Sequence, residues 1–390
     1  MAGLDVSGRV AVVGVGMSRL ERRSPRSNLA LAAEALKEAL RDAGLTKGEI
    51  DGLVTNIGHP LGVDYDRLAE AFGLRLCYSE QTWTHGRFMG PALQHAVLAV
   101  AAGLARVVAC LVGIRFSRPG HIGGPRDPEA TRQGGGSHGE APHYGIVTPG
   151  AGAAMAWRLY LSRYGGRPED LAAVPIAIRK HASLNPQAIM RTPITREDYL
   201  NAPFIIEPLR LLDCCLVSDG GACVIVASRE RARDCRQPLV FVLGMQGMRA
   251  GREEFVFGRP GLGAWQQSVS DDLEREHPVY GMAGVEQKDM DGLYVYDAFA
   301  PQVVFTLERF GFAGPGEGLA WVQDGRIELG GELPVNTNGG LLSEGHVSGW
   351  NHVVEIVRQL RGECGERQIP GARLLQWATT FGDSLIFGRE

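Results

Sequence analysis

Apolar residues fall into two kinds of run along this chain, and the two kinds alternate. Continuous runs at residues 9–14, 50–55, 106–112, 222–226 and 238–243 suit strands buried on both faces. Between them, apolar positions recur at three- and four-residue steps, as on helices with one buried face. Leu29, Leu31, Ala32, Ala35, Leu36 and Leu40 make one such face, with Ser27 as cap and Gly44 as stop. A short helix is expected at 65–72. Residues 91–101 are apolar nearly all round, which predicts a buried helix, and two more helices are expected at 151–164 and 168–183. Two irregular stretches interrupt the pattern, 117–150 and 251–281. The first is dominated by Gly, Pro, His and Arg and reads as a lid or partner-binding insertion. Strands alternating with helices make this an α/β protein.

A long-range repeat sits on that pattern. Residues 43–53, AGLTKGEIDGL, return as 283–293, AGVEQKDMDGL, at a constant offset of 240 and without a gap. Each copy runs on to a glycine-bracketed turn, an apolar helix and a strand. So wide a spacing points to two duplicated halves rather than a short-period solenoid. It predicts that Asp51 to Leu53 and Asp291 to Leu293 occupy equivalent strands.

The densest pattern lies at 336–362, NTNGGLLSEGHVSGWNHVVEIVRQLRG. A glycine-rich turn leads into an amphipathic helix carrying Trp350, Val353, Val354, Val357 and Leu360 on one face. Ser348 is the expected N-cap, which holds His346 just outside the positive end of that helix. An imidazole there tends to stay neutral and can donate to a developing oxyanion; the plainer alternative is a histidine that only caps a turn. Gly14-Val15-Gly16 is a different matter. Arg19 stands where a dinucleotide fingerprint needs its third glycine, and about ten residues separate it from the next helix.

Composition narrows the setting. With 44% hydrophobic and 22% charged residues, the 390-residue chain has the make-up of a soluble globular protein. A net charge of −4 argues against nucleic acid as a partner, and no apolar run is long enough to span a membrane. Seven cysteines, two of them adjacent, do not form a disulfide framework, so a cytoplasmic setting with reduced thiols is expected. No set of Cys and His has zinc-ligand spacing.

Three stretches carry a family resemblance. Asn336, Gly339, Gly340, Gly345, His346 and Gly349 (NxxGGxxxxGHxxG), together with residues 211–222, LLDCCLVSDGGA, resemble the thiolase superfamily. Residues 180–186, KHASLNP, and the C-terminal half are similar to the sterol-carrier-protein-x-type, or lipid-transfer-protein, thiolases. The resemblance covers nearly the whole chain. It implies two duplicated α/β halves in a five-layer αβαβα fold, an acyl-CoA substrate and a homodimer. On that reading residues 1–236 form the N-terminal half, with an insertion at about 115–210, and 237–390 the C-terminal half.

The departures from the family pattern bear on chemistry. The nucleophilic cysteine of thiolases corresponds to Gly86 here, and no cysteine lies between Cys77 and Cys110. The His-Asp-Cys-Phe motif of the nearest thiolases reads Tyr296-Asp297-Ala298-Phe299, and residues 374–382 also lack the expected cysteine. An acyl-enzyme on those positions is excluded, because no nucleophile stands there. Tyr-Asp-x-Phe resembles instead the thiolase-like aldolases of steroid side-chain degradation, which act beside a partner with a zinc ribbon and an OB fold. Such aldolases can carry tyrosine where this chain has His346, so the division of acid and base roles stays open.

The function this implies is retro-aldol cleavage of a β-hydroxyacyl-CoA, with Tyr296 and His346 as catalytic groups. His85, Gly86, Gly340 and Gly345 are the expected substrate contacts. No cofactor is expected beyond the coenzyme A of the substrate, and any zinc belongs to the partner. Two alternatives remain: a thiolase-like acyltransferase or condensing enzyme, and a non-catalytic acyl-CoA-binding scaffold. Plainer readings stand beside the site as well. Tyr296 can be a core tyrosine at a strand end, Asp297 a structural hydrogen-bonder, His95 a helix-face residue and His181 a packing or capping residue. Cys214, Cys215 and Cys223 read as small buried residues.

Overall fold

A computed structural model of the chain describes residues 6–59, 61–82, 89–117, 149–248 and 277–389. Its main strands are β1 (Val10–Met17), β2 (Gly52–Thr55), β3 (Tyr78–Gln81), β4 (Val107–Arg115), β5 (Asp219–Ser228), β6 (Val240–Gln246), β7 (Gly292–Val295), β8 (Leu374–Ala378) and β9 (Ser384–Arg389). Its main helices are α1 (Asn28–Ala43), α2 (Tyr65–Phe72), α3 (Met89–Ala101), α4 (Pro149–Tyr164), α5 (Ala173–Ser183), α6 (Pro278–Ala283), α7 (Pro301–Arg309) and α8 (Trp350–Arg361).

The strands hydrogen-bond in the order β3-β2-β4-β5-β1-β6-β9-β8-β7. The join between β1 and β6 is short, Ala11 with Phe241 and Val12 with Val240. On either side of it the order is the same. Outward from β1 come β5 and β4, each antiparallel to its predecessor, then β2, parallel to β4. Outward from β6 come β9 and β8, again antiparallel, then β7, parallel to β8. The first set ends on β3, parallel to β2, and the second on a single parallel bridge from Leu293 to Val335. β2 and β7 are therefore equivalent strands, as the repeat predicts.

The repeated residues do the same work in both halves. The Asp51 carboxylate accepts the N–H groups of Arg106 (2.9 Å) and Val107 (2.8 Å), where β4 begins. The Asp291 carboxylate accepts those of Arg373 (2.7 Å) and Leu374 (2.9 Å), where β8 begins. A side chain at Gly52 would collide with Val108 and Ala105, and one at Gly292 with Ile369 and Leu375.

Strand alternation builds the layers. Ala11 and Val13 of β1 pack on Ala32, Ala35, Leu36 and Ala39 of α1, whereas Val10, Val12 and Val15 face the interior. That interior holds α3 and α8, packed between the first set of strands and Tyr294, Trp377, Leu385 and Phe387 of the second. The outer face of the second set, including Leu293, Val295, Ala378 and Ile386, packs on α4 and α7. From α1 outward the layers read helix, sheet, helices, sheet, helices: the αβαβα arrangement expected.

Local signals hold where the segment is self-contained. The Ser27 hydroxyl accepts from Ala30 N–H at 3.2 Å, and Gly44 ends α1 in the left-handed region (φ 72°). Gly14 and Gly16 let α1 lie directly on β1, since a side chain at either would strike the carbonyl of Ala39 or Ala35. Packing, not phosphate, explains that pair. Two expectations change. Residues Pro168–Ala172 form a 3₁₀ turn before α5. The stretch read as irregular to 281 contains the start of α6, equivalent to the last turns of α1 and closed by Gly284 (φ 68°). Residues 118–148 and 249–276, which make up most of the two irregular regions, lie outside the described residues. Among the described residues no helix is long and apolar enough to cross a membrane.

Candidate active site

Tyr296 follows directly on β7, and neighbouring side chains fix the chain around it. Asn336, in the left-handed region at φ 51°, pairs its side-chain amide with Val295 as a strand would. Its Oδ1 accepts the Val295 N–H at 2.7 Å, and its Nδ2 donates to the Val295 carbonyl at 3.0 Å. On the other side of Tyr296, the Asp297 carboxylate accepts the N–H groups of Leu341 (2.8 Å) and Leu342 (3.4 Å). Asp297 is thus a structural hydrogen-bonder that ties the glycine-rich turn to the residue after the tyrosine. Gly340 (φ 58°) sits inside this tie, where a side chain would overlap the Asp297 carboxylate.

The turn then delivers His346. Its backbone N–H donates to the Ser218 hydroxyl at 2.7 Å. Its ring stacks on Phe116 with centroids 4.6 Å apart. Nε2 lies 3.1 Å from the Tyr296 hydroxyl, and Nδ1 lies 3.7 Å from the Cys215 sulfur. The two expected catalytic groups are therefore in direct contact. Burial pushes the His346 imidazole down to about 4; Asp297 opposes that shift and His352 adds to it. The ring is neutral at neutral pH, with one N–H to give and one lone pair to take a proton.

The cap differs from expectation. Ser348 has φ 61°, which an N-cap residue with its extended backbone does not adopt, and α8 starts behind Gly349 (φ 83°) with no side-chain cap. The Ser348 hydroxyl finds no partner among the described residues. His346 is held by Ser218 and Phe116, not by the helix terminus. Two residues earlier, the buried Glu344 carboxylate accepts amide N–H groups from Asn185 (2.9 Å), Asn351 (2.8 Å) and Asn338. Burial raises it to about 7, with the Asn351 and Asn185 bonds holding it lower than burial alone would.

The other expected residues are placed unevenly. His85 and Gly86 lie outside the described residues. Gly345 packs on Leu20, which a side chain there would strike. His181 accepts from the Leu329 N–H at 2.8 Å through Nε2, a packing and capping role. His95 sits on the half-exposed face of α3, 3.9 Å from Glu80. Sequence reading missed three contributors: Phe116, Ser218 and Cys215. Ser218 and Cys215 belong to the LLDCCLVSDGGA motif, so the motif was a signal of function without showing of what. Cys223 is buried as expected, whereas Cys214 and Cys215 are only half-buried as residues. Among the described residues no three His, Cys, Asp or Glu side chains gather to hold a metal.

A direct measurement checks the electrostatics. The His346 ring signals are expected to stay fixed from pH 8 down to about pH 5.5, because the folded imidazole takes its proton well below the ordinary histidine range. A titration midpoint near 6.5 would contradict the buried, neutral ring. The sign for stability follows. The unfolded chain binds this proton first as pH falls below about 6.5, so the contribution is present above that value and lost towards pH 4.

Comparison with known proteins finds relatives over nearly the whole chain. Residues 276–382 match the family described as Thiolase C-terminal domain-like. The chain is 38% identical over 370 residues to a 17-hydroxy-3-oxo-4-pregnene-20-carboxyl-CoA lyase of Mycobacterium tuberculosis, covering 92% of each chain. It is 36% identical over 370 residues to a steroid side-chain-cleaving aldolase of Thermomonospora curvata, covering 91% of each. The solved structure of an Ltp2-ChsH2(DUF35) aldolase superposes with a TM-score of 0.84 at 33% identity, covering 98% of each chain.

Proposed function

The chain belongs to the thiolase superfamily, in its branch of steroid side-chain aldolases, and on that premise we propose that it is a carbon–carbon lyase cleaving a β-hydroxyacyl-CoA through Tyr296 and His346. The observation that carries the reading is the 3.1 Å hydrogen bond between the Tyr296 hydroxyl and His346 Nε2 in a buried setting. In retro-aldol cleavage the β-hydroxyl proton leaves to a base, and the carbon–carbon bond opens into a ketone or aldehyde. The released electron pair forms a thioester enolate, which takes a proton at its α-carbon. No oxidant, metal or covalent intermediate is needed for the balance. Tyr296 as the phenolate, stabilised by donation from His346, is the base for the hydroxyl, and the phenol so formed returns that proton to the α-carbon. The relative that acts on a 17-hydroxy-20-carboxyl-CoA supports a substrate of this class, since those groups stand β to one another.

Coenzyme A enters as part of this substrate, with no further cofactor. The substrate contacts we assign are His85, Gly86, Gly340 and Gly345. The setting we assign is cytoplasmic, consistent with seven free cysteines. The chain works as a homodimer beside a small partner protein; the solved Ltp2-ChsH2(DUF35) aldolase supports the partner. The test is incubation of the protein, alone and with such a partner, with a β-hydroxyacyl-CoA bearing a tertiary alcohol. A ketone and a shortened acyl-CoA in equal amounts are expected. Thioester exchange, or condensation of two acyl groups with release of free coenzyme A, in either case without ketone release, would assign the chain to the acyltransferases instead.

A further inference from the structure

The mechanism leaves one contact unused, the Cys215 sulfur against His346. Cys215 follows Cys214 at the end of the LLDCC segment, and its backbone N–H donates to the Ala298 carbonyl at 2.9 Å. That bond seats it beside the Tyr296-Asp297-Ala298 segment. Its sulfur reaches His346 Nδ1 at 3.7 Å, while Nε2 on the opposite side of the ring faces Tyr296 at 3.1 Å. Among the described residues no other polar atom bonds to Nδ1. Phe116, stacked on the ring, leaves its edges open to these two contacts.

We propose that Cys215 is a positioning residue that sets the tautomer of His346: its thiol donates to Nδ1, which confines the ring proton to Nε2 and aims it at the Tyr296 oxygen. A thiol proton and an imidazole lone pair make the better match, since thiol sulfur is a weak acceptor for an imidazole N–H. Burial pushes the Cys215 thiol well up, and the nearby Cys214 and Asp297 push it further, so it keeps its proton. The same burial argues against Cys215 as an acyl-accepting nucleophile, which requires a thiolate. With Nε2 as donor, the Tyr296 oxygen accepts a hydrogen bond from the ring, and its own proton points away from the imidazole. A phenolate formed there is stabilised by the same N–H. The opposite tautomer would make Tyr296 the donor to His346 and leave the phenolate without that support.

This rests on the aldolase reading, and the experiment separates the two. Protein labelled with ¹⁵N-histidine reports which ring nitrogen carries the proton, with the His346 signals assigned by their loss in His346→Ala. Wild type is expected to show the Nε2–H form near neutral pH. Cys215→Ala is expected to mix the two forms and to lower kcat by about three- to tenfold with KM nearly unchanged, as suits loss of one weak, partly buried hydrogen bond. Cys215→Ser retains a donor on a slightly shorter arm and should fall between the two in both readouts. An Nδ1–H ring in wild type, an unchanged tautomer in Cys215→Ala, or a serine variant with the alanine variant's spectrum would each overturn the proposal. Should Cys215→Ala not fold, the wild-type and serine spectra decide. Absence of cleavage by wild type would instead strike the aldolase reading, leaving the tautomer result intact.

Discussion

Tyr296→Phe is expected to slow single-turnover cleavage of a β-hydroxyacyl-CoA by about 10² to 10⁴, the range a positioned acid–base group contributes. The substitution removes only the hydroxyl. The ring stays packed in the central core, edge-on to His346 with centroids 5.9 Å apart, so the fold and acyl-CoA binding should be retained, at a stability cost of about 1 to 3 kcal/mol for the buried hydrogen bond lost. A phenol has an ordinary pKa near 10 and is a poor base at neutral pH without help. Help comes from the His346 ring, neutral and 3.1 Å away. Single-turnover rates, measured with any partner protein present, isolate the chemical step from product release. A Tyr296→Phe variant that cleaves as fast as wild type would reduce Tyr296 to a packing residue and remove the proposed proton route.

His346→Ala is expected to cost a comparable factor, because the phenol then loses its hydrogen bond to the imidazole. The double variant should lose much less than the product of the two single losses, since groups that act as a unit are not additive. Strict multiplication of the two effects would mean that tyrosine and histidine serve separate steps. His346→Ala also empties the space against Phe116, so its thermal unfolding must be measured alongside. A kcat loss in a variant that still melts as a folded protein assigns the effect to chemistry. A variant that is merely unfolded would be replaced by His346→Asn, which keeps a polar side chain in the same buried place.

Much of this was legible in order along the chain. The repeat at 43–53 and 283–293 was visible because its causes are local and recur: an aspartate that caps the next strand's first N–H groups, and a glycine where no side chain fits. Helix α1 was legible for the same reason, with cap, apolar face and stop within one short segment. Tyr296 and His346 were singled out by their motif positions, and the structure adds that they touch.

Taken alone, the sequence determined the α/β class, the two duplicated halves, the family and the loss of the thiolase cysteines from their positions. Each of these is written in periodicity, in spacing or in the identity of residues at motif positions. Tertiary structure alone decided how the site is held. The Cys215 to His346 contact spans 131 residues, Ser218 to His346 128, Asp297 to Leu341 44 and Asn336 to Val295 41. Single side-chain contacts across such distances leave no period to read, because they depend on where separate elements come to rest. Ser348 shows the same limit at close range. Its residue type favours a helix cap, but the packing of Gly345 on Leu20 and of Gly349 beside Tyr296 accompanies a left-handed backbone in which that cap cannot form.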